Sequence, residues 1–155
     1  MIFGFFRNLP PKVKAATAGL VTAAMVPAAV FLIESTDVGA PMTAKFEGSV
    51  LGNYIDAVGV ETWCIGETQV GRLQAGYTKD YCMELFMRRY SVYSKAVFSC
   101  YDDNAKRYVT PAIHAAITDV AYNTGASCKT GMIRNLKAGN PVAACNSILE
   151  YKKAG

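Results

Sequence analysis

The sequence predicts an α+β fold with a single apolar helix ahead of it, and three observations carry that prediction. Residues 15–33 hold no charge over nineteen positions. Tyr54, Ile55 and Val58, then Val60, Thr62 and Cys64, form two short β-favouring runs around Gly59. From residue 78 onward apolar side chains recur at three- and four-residue steps, bounded by capping residues and glycines. A chain of 155 residues with 52% apolar content has one domain's length and material enough for a core. The expected division is an N-terminal anchor segment, residues 1–37, and a folded body, residues 38–155.

The uncharged run would be roughly 28 Å long as a helix, against a hydrocarbon core of about 30 Å. Lys12 and Lys14 precede it and Glu34 and Asp37 follow it, which by the positive-inside rule leaves the N terminus in the cytoplasm and the body outside. A cleaved signal peptide fits less well, because Pro41 follows the best cutting site, Val38-Gly39-Ala40. A buried core helix also fits poorly with a stretch apolar on all sides. Seven of the nineteen residues are alanine, interspersed with Gly19, Thr17, Thr22 and Pro27. The seven strongly apolar residues contribute about −2 to −4 kcal/mol at best, so insertion through residues 15–33 is expected to be marginal.

Formal charge is +4 and mean hydropathy +0.16. A mildly basic body suits an anionic envelope polymer or ordinary solubility. The basic residues are scattered and no nucleic-acid motif accompanies them, so no nucleic-acid partner is expected.

Phe46 to Thr68 is the stretch where chemistry concentrates. Glu47 closes an apolar-spaced segment and Gly48 follows as a helix-ending signal. Asp56 falls on the predicted hairpin and Thr62 on its second strand. An acid at a helix end would thus face a second acid across a cleft. Glycosidic cleavage needs such a pair, one carboxyl to protonate the leaving oxygen and one carboxylate to activate water or stabilise positive charge. A threonine hydroxyl can hold the water, being donor and acceptor.

The stretch resembles the active-site segment of phage-type lysozymes, the glycoside hydrolase family 24 endolysins. The resemblance implies Glu47 as general acid, Asp56 as second carboxylate and Thr62 as the residue placing the water. Gly48, Tyr54, Gly59, Gly66 and Thr68 also match the pattern, with Tyr54 and Gly66 implied at the substrate. Many members carry a histidine where this chain has Glu67, a departure that bears on local packing and pH optimum. The resemblance further implies a lysozyme-like two-lobe fold, its small hairpin lobe joined by a long helix to an all-helical lobe.

Val70 to Gly76 reads as a loop and Thr78 as the N-cap of that long helix, which runs to about Cys100. Its predicted inner face is Tyr81, Cys82, Leu85, Phe86, Arg89, Val92, Tyr93, Ala96, Val97 and Cys100. Asp102 to Tyr108 reads as loop. Thr110-Pro111 opens the next helix and Gly125 closes it, with Ile113, Ala116, Ile117, Val120 and Ala121 inward. Tyr122-Asn123-Thr124-Gly125 resembles the family's groove-bordering segment; Asn123 is read first as a helix cap and second as a glycan contact. Residues 130–139 and 140–149 form two further helices. His114, the only histidine, is read as structural, since it has no partner pattern for zinc or serine chemistry. No phosphate loop or dinucleotide fingerprint occurs, and no metal or cofactor is expected. The resemblance implies a glycine-rich turn and one more helix beyond Lys153-Ala154-Gly155, so the expectation is a truncated C-terminal end first and a member that lacks the closing helix second.

Cys64, Cys82, Cys100, Cys128 and Cys145 show no close metal-binding pairs. In the two-lobe picture the first two share the small lobe, which makes Cys64–Cys82 the first expected disulfide, and pairing among the other three is open. A marginal anchor ahead of such a body resembles signal-anchor-release endolysins, exported as tethered inactive enzymes. The expected function is hydrolysis of the bond between N-acetylmuramic acid and N-acetylglucosamine in peptidoglycan, with inversion, by a monomer. It would sit first in the inner membrane, with its catalytic domain in the periplasm, and be soluble there after release. A lytic transglycosylase is the nearest alternative, disfavoured by the second carboxylate and the threonine. A tethered peptidoglycan-binding protein without catalysis is another, disfavoured because all three candidate positions keep their residue types.

Overall fold

The computed structural model describes residues 26–125 and 128–151. Most of the expected anchor, residues 15–25, lies outside them. Among the described residues no helix is long and apolar enough to cross a membrane.

Helix α1, Ala28–Glu47, is continuous through Gly39 and Pro41 and ends at Gly48 with φ 76°. The expected boundary at residues 37 and 38 therefore falls inside one helix. Phe31 is 0% exposed, its ring 5.6 Å from Phe98 and 5.5 Å from His114. Farther along α1, Ala40 and Ala44 pack with Trp63, Leu85, Phe86 and Tyr90. Gly39 marks the tightest crossing: a Cβ there would collide with Tyr90 and Ala115.

Strands β1, Val50–Ile55, and β2, Glu61–Cys64, pair antiparallel, with Tyr54 opposite Thr62 and an irregularity between Val50 and Asn53. The first strand thus starts earlier than expected, and Val58 stands exposed in the turn. Asp56 explains this, because its Oδ1 accepts from Val58 N and Val60 N and ends the strand with a side-chain-built turn.

Helix α2, Lys79–Phe98, starts at Thr78, whose hydroxyl accepts from Tyr81 N. It spans both cores, with Cys82, Leu85, Phe86 and Tyr90 in the hairpin-side cluster and Val97 in the helical one. Its inner face differs from the expected one. Val92 is exposed, as is Ala96, while Tyr90 and Ser94 are buried. The polar pair is accepted because it is bonded: Tyr90 Oη donates to Ala115 O at 3.1 Å, and Ser94 Oγ lies 3.0 Å from His114 Nε2.

The expected loop at 102–108 contains a one-turn helix, α3, Asp103–Lys106, capped by Asp102. Helix α4, Pro111–Thr124, begins at a Thr110 cap and ends at left-handed Gly125. Helices α5, Gly131–Lys137, and α6, Pro141–Ser147, follow, with a 3-10 turn at Ile148–Tyr151. Their Met132, Ile133, Leu136, Ala144 and Ile148 complete the core around Phe31, Val97, Ile117 and Val120. The fold is thus the expected mixed one, a two-stranded sheet beside a helical lobe, with α1 as a second helix that runs through both.

Disulfides join Cys64 to Cys82, as expected, and Cys100 to Cys128, leaving Cys145 free. The first ties the end of β2 to the first turn of α2. His114 is fully buried, between Ser94 and Tyr101 Oη at 2.9 Å. That is the structural role read from the sequence.

Candidate active site

Glu47 is the last residue of α1 and stands where three elements meet. From α4 come Asp119, Tyr122 and Asn123; from β1 comes Tyr54; from the turn after β2 comes Gly66. Two helical spacings create the meeting. Thr43 and Glu47 lie four apart on α1, Asp119 and Asn123 four apart on α4, and the two rows face each other. Thr43 Oγ1 donates to Asp119 Oδ1 at 2.7 Å. One turn along, Asn123 stands beside Glu47.

Glu47 is open to solvent at its edge, yet the walls behind it desolvate the carboxyl. That burial raises its pKa, Asp119's negative charge raises it further, and the Asn123 hydrogen bond opposes both. Asp119 is itself pushed up by burial, against the Thr43 hydrogen bond.

Tyr54 couples the helix end to the hairpin. Burial, then the charges of Asp56 and Glu47, raise the pKa of its hydroxyl, so the ring lies within electrostatic reach of both acids. Asp56 holds one oxygen in the turn and has no protein donor on Oδ2 among the described residues. Thr62, opposite Tyr54, is 3% exposed, and its hydroxyl donates to Val60 O at 3.1 Å. Its proton is thereby used, and what it can offer a water is a lone pair.

Gly66 turns the chain beside the acid with φ 69°. A Cβ there would stand 3.8 Å from Glu47 Oε2 and 3.9 Å from Tyr122 Oη, so any longer side chain would enter the space in front of the carboxyl. Cys64, with φ 57°, begins the same reversal. Glu67 builds it from within: Oε1 accepts from the N–H groups of Thr68, Gln69 and Val70, and Oε2 faces Arg89 Nε at 3.0 Å. Oε2 takes no aligned hydrogen bond, so the Arg89 charge is what offsets its burial. Tyr122 Oη donates to Ile65 O at 3.1 Å and fastens the turn to α4.

Glu47, Tyr54, Gly66 and Asn123 are thus brought together, with Asp56 and Thr62 on the hairpin beside them. The first role expected for Asn123 is corrected. It lies within the last turn of α4, donates to Asp119 O at 3.0 Å, and leaves the capping to Gly125. Asp119 and the Glu67–Arg89 pair escaped the sequence reading. The only sequence signal for Asp119 is its four-residue spacing from Asn123.

Residues 44–155 match the sequence model of the phage lysozyme family. In three dimensions the chain is similar to an endolysin from the Escherichia coli O157:H7 phage FAHEc1. The TM-score is 0.58 and the identity 19%, over 74% of this chain and 71% of that one. No curated protein matches the chain in sequence.

Proposed function

Because the chain belongs to the phage lysozyme family, we propose that it is an endolysin hydrolysing the β-1,4 bond between N-acetylmuramic acid and N-acetylglucosamine in peptidoglycan. The observation that carries this is the unequal pair of acids around Tyr54. Glu47 is held in surroundings that favour its proton, while Asp56 is fixed in a turn with one oxygen turned away from its backbone donors. Glu47 gives its proton to the glycosidic oxygen as that bond breaks. Asp56 takes a proton from the water that attacks the anomeric carbon, and Thr62 offers that water an acceptor. Attack from the face opposite the leaving sugar inverts the configuration.

Digestion of purified peptidoglycan in ¹⁸O-water, read by mass spectrometry, tests the reaction. New muramic acid reducing ends carrying ¹⁸O are expected. Anhydro-muramic ends would assign a lytic transglycosylase instead.

The apolar run at residues 15–33, with basic residues before it and acidic residues after it, supports export as a membrane-tethered form that is later released. Phe31 sharpens this reading. The same residue cannot occupy the bilayer and the helical core together, so release would move it from one to the other. Fractionation of expressing cells before and after an uncoupler tests the step. Movement from membrane pellet to soluble fraction is expected, and an unchanged distribution would remove it.

A further inference from the structure

We propose that Asp119 is a positioning residue for Glu47: held by Thr43 across the α1–α4 interface, it places a second acid side chain one helical turn behind the proton donor. The inference rests on Glu47 acting as the acid.

The geometry comes from the two facing rows. Helix α1 carries Thr43 and Glu47 one turn apart, and α4 carries Asp119 and Asn123 one turn apart. Gly39 packs on Ala115 one turn earlier, Thr43 bonds Asp119 at 2.7 Å, and the same four-residue step brings Glu47 opposite Asn123. Asp119 is half-buried, and Thr43 is 1% exposed, so the Thr43–Asp119 bond is fixed by packing rather than by the flexible end of a surface side chain. Thr43 donates its proton to Asp119 and so favours the ionised form there. Asn123 donates to the Asp119 backbone carbonyl at 3.0 Å, and its amide, next to Glu47, opposes the rise in the Glu47 pKa.

The other groups around Glu47 do not supply this effect. Tyr122, on α4, keeps its proton well above neutral pH, as burial and the charges of Glu47 and Glu67 both require. Tyr54, on β1, likewise remains neutral. Glu67, in the turn, is paired with Arg89, and Asp56 lies beyond Tyr54 on the hairpin. Asp119 is the acid that acts directly on Glu47, after burial itself.

The negative charge of Asp119 opposes ionisation of Glu47, so the Glu47 proton leaves later than it would beside a neutral side chain. A general acid must hold its proton at the working pH, so the alkaline limb of the rate profile should lie where Glu47 loses that proton.

The test compares pH profiles of kcat/KM for the wild type, Asp119→Asn and Glu47→Gln. Asp119→Asn keeps the size of the side chain and an oxygen for Thr43 but removes the charge. Its alkaline limb is expected about half a pH unit or more lower, making it about threefold slower on that limb. A residue that only held the helices together would lower the rate alike at all pH values. An unmoved limb in Asp119→Asn, with Glu47→Gln inactive, overturns the role of Asp119 and leaves the acid in place. An active Glu47→Gln overturns both. Carboxyl ¹³C titration of the wild type decides the matter even if Asp119→Asn does not fold: Glu47 and Asp119 should each sense the other's ionisation in a two-step curve, and independent single-step curves would contradict the coupling.

Discussion

Arg89 Nε stands 3.0 Å from Glu67 Oε2, and this pair holds the turn that carries Gly66 past Glu47. Glu67 is 5% exposed, so its charge is tolerable only because Arg89 and three backbone N–H groups answer it. Arg89→Ala would leave that carboxylate buried without a counter-charge. We expect a loss of about 2–4 kcal/mol in urea unfolding, while Arg89→Lys should recover part of it. Unchanged stability in Arg89→Ala would mean that the backbone donors alone suffice.

His114 makes the helical lobe sensitive to acid. Burial lowers its pKa from 6.5 to about 3, opposed in part by a hydrogen bond to Ser94. The unfolded chain therefore takes up a proton between those values while the folded one does not. Stability contributed by neutral His114 is complete above pH 6.5 and falls as pH drops towards about 3, by about 1.4 kcal/mol per pH unit within that window. Urea unfolding at a series of pH values should show this slope, and His114→Gln should flatten it.

The Cys64–Cys82 bridge closes a loop of 18 residues that contains Gly66, Glu67 and the start of α2. On loop length alone it is worth about 3 kcal/mol. It also fixes β2 two residues after Thr62. Cys64→Ser with Cys82→Ser is expected to lower the melting temperature and, through the looser turn, the rate of cell-wall hydrolysis. Cys100→Ser with Cys128→Ser, away from the hairpin, should lower the melting temperature with a smaller effect on rate. Equal loss of rate in both double variants would contradict this division.

Local signals made much of this readable from the sequence. Thr78 and Thr110 cap helices where expected, and Thr130 does the same unannounced, because a threonine before a helical pattern has one strong use, to accept from the third residue on. Glu47-Gly48 marked the end of α1 for a similar local reason. What was not legible depended on partners distant in the chain. Ser94 and Tyr90 look polar in the sequence and are inner residues because His114 and Ala115 O receive them. Val92 and Ala96 kept the apolar rhythm and nonetheless face outward. The role of Asp119 and the partner of Glu67 are not legible in the sequence, since nothing local signals Thr43 76 positions away or Arg89 on the next helix. The continuity of α1 through Pro41 was also hidden. A proline predicts a break, and the packing of Phe31, Ala40 and Ala44 on both cores outweighs it.

The most direct measurement is turbidity clearing of outer-membrane-stripped Gram-negative cells by the wild type and by Glu47→Gln at equal folded concentration. Loss of the proton donor is expected to slow clearing by at least about 100-fold, with thermal melting showing both proteins folded. Clearing at the same rate by both would contradict Glu47 as the acid and, with it, the catalytic account of the site.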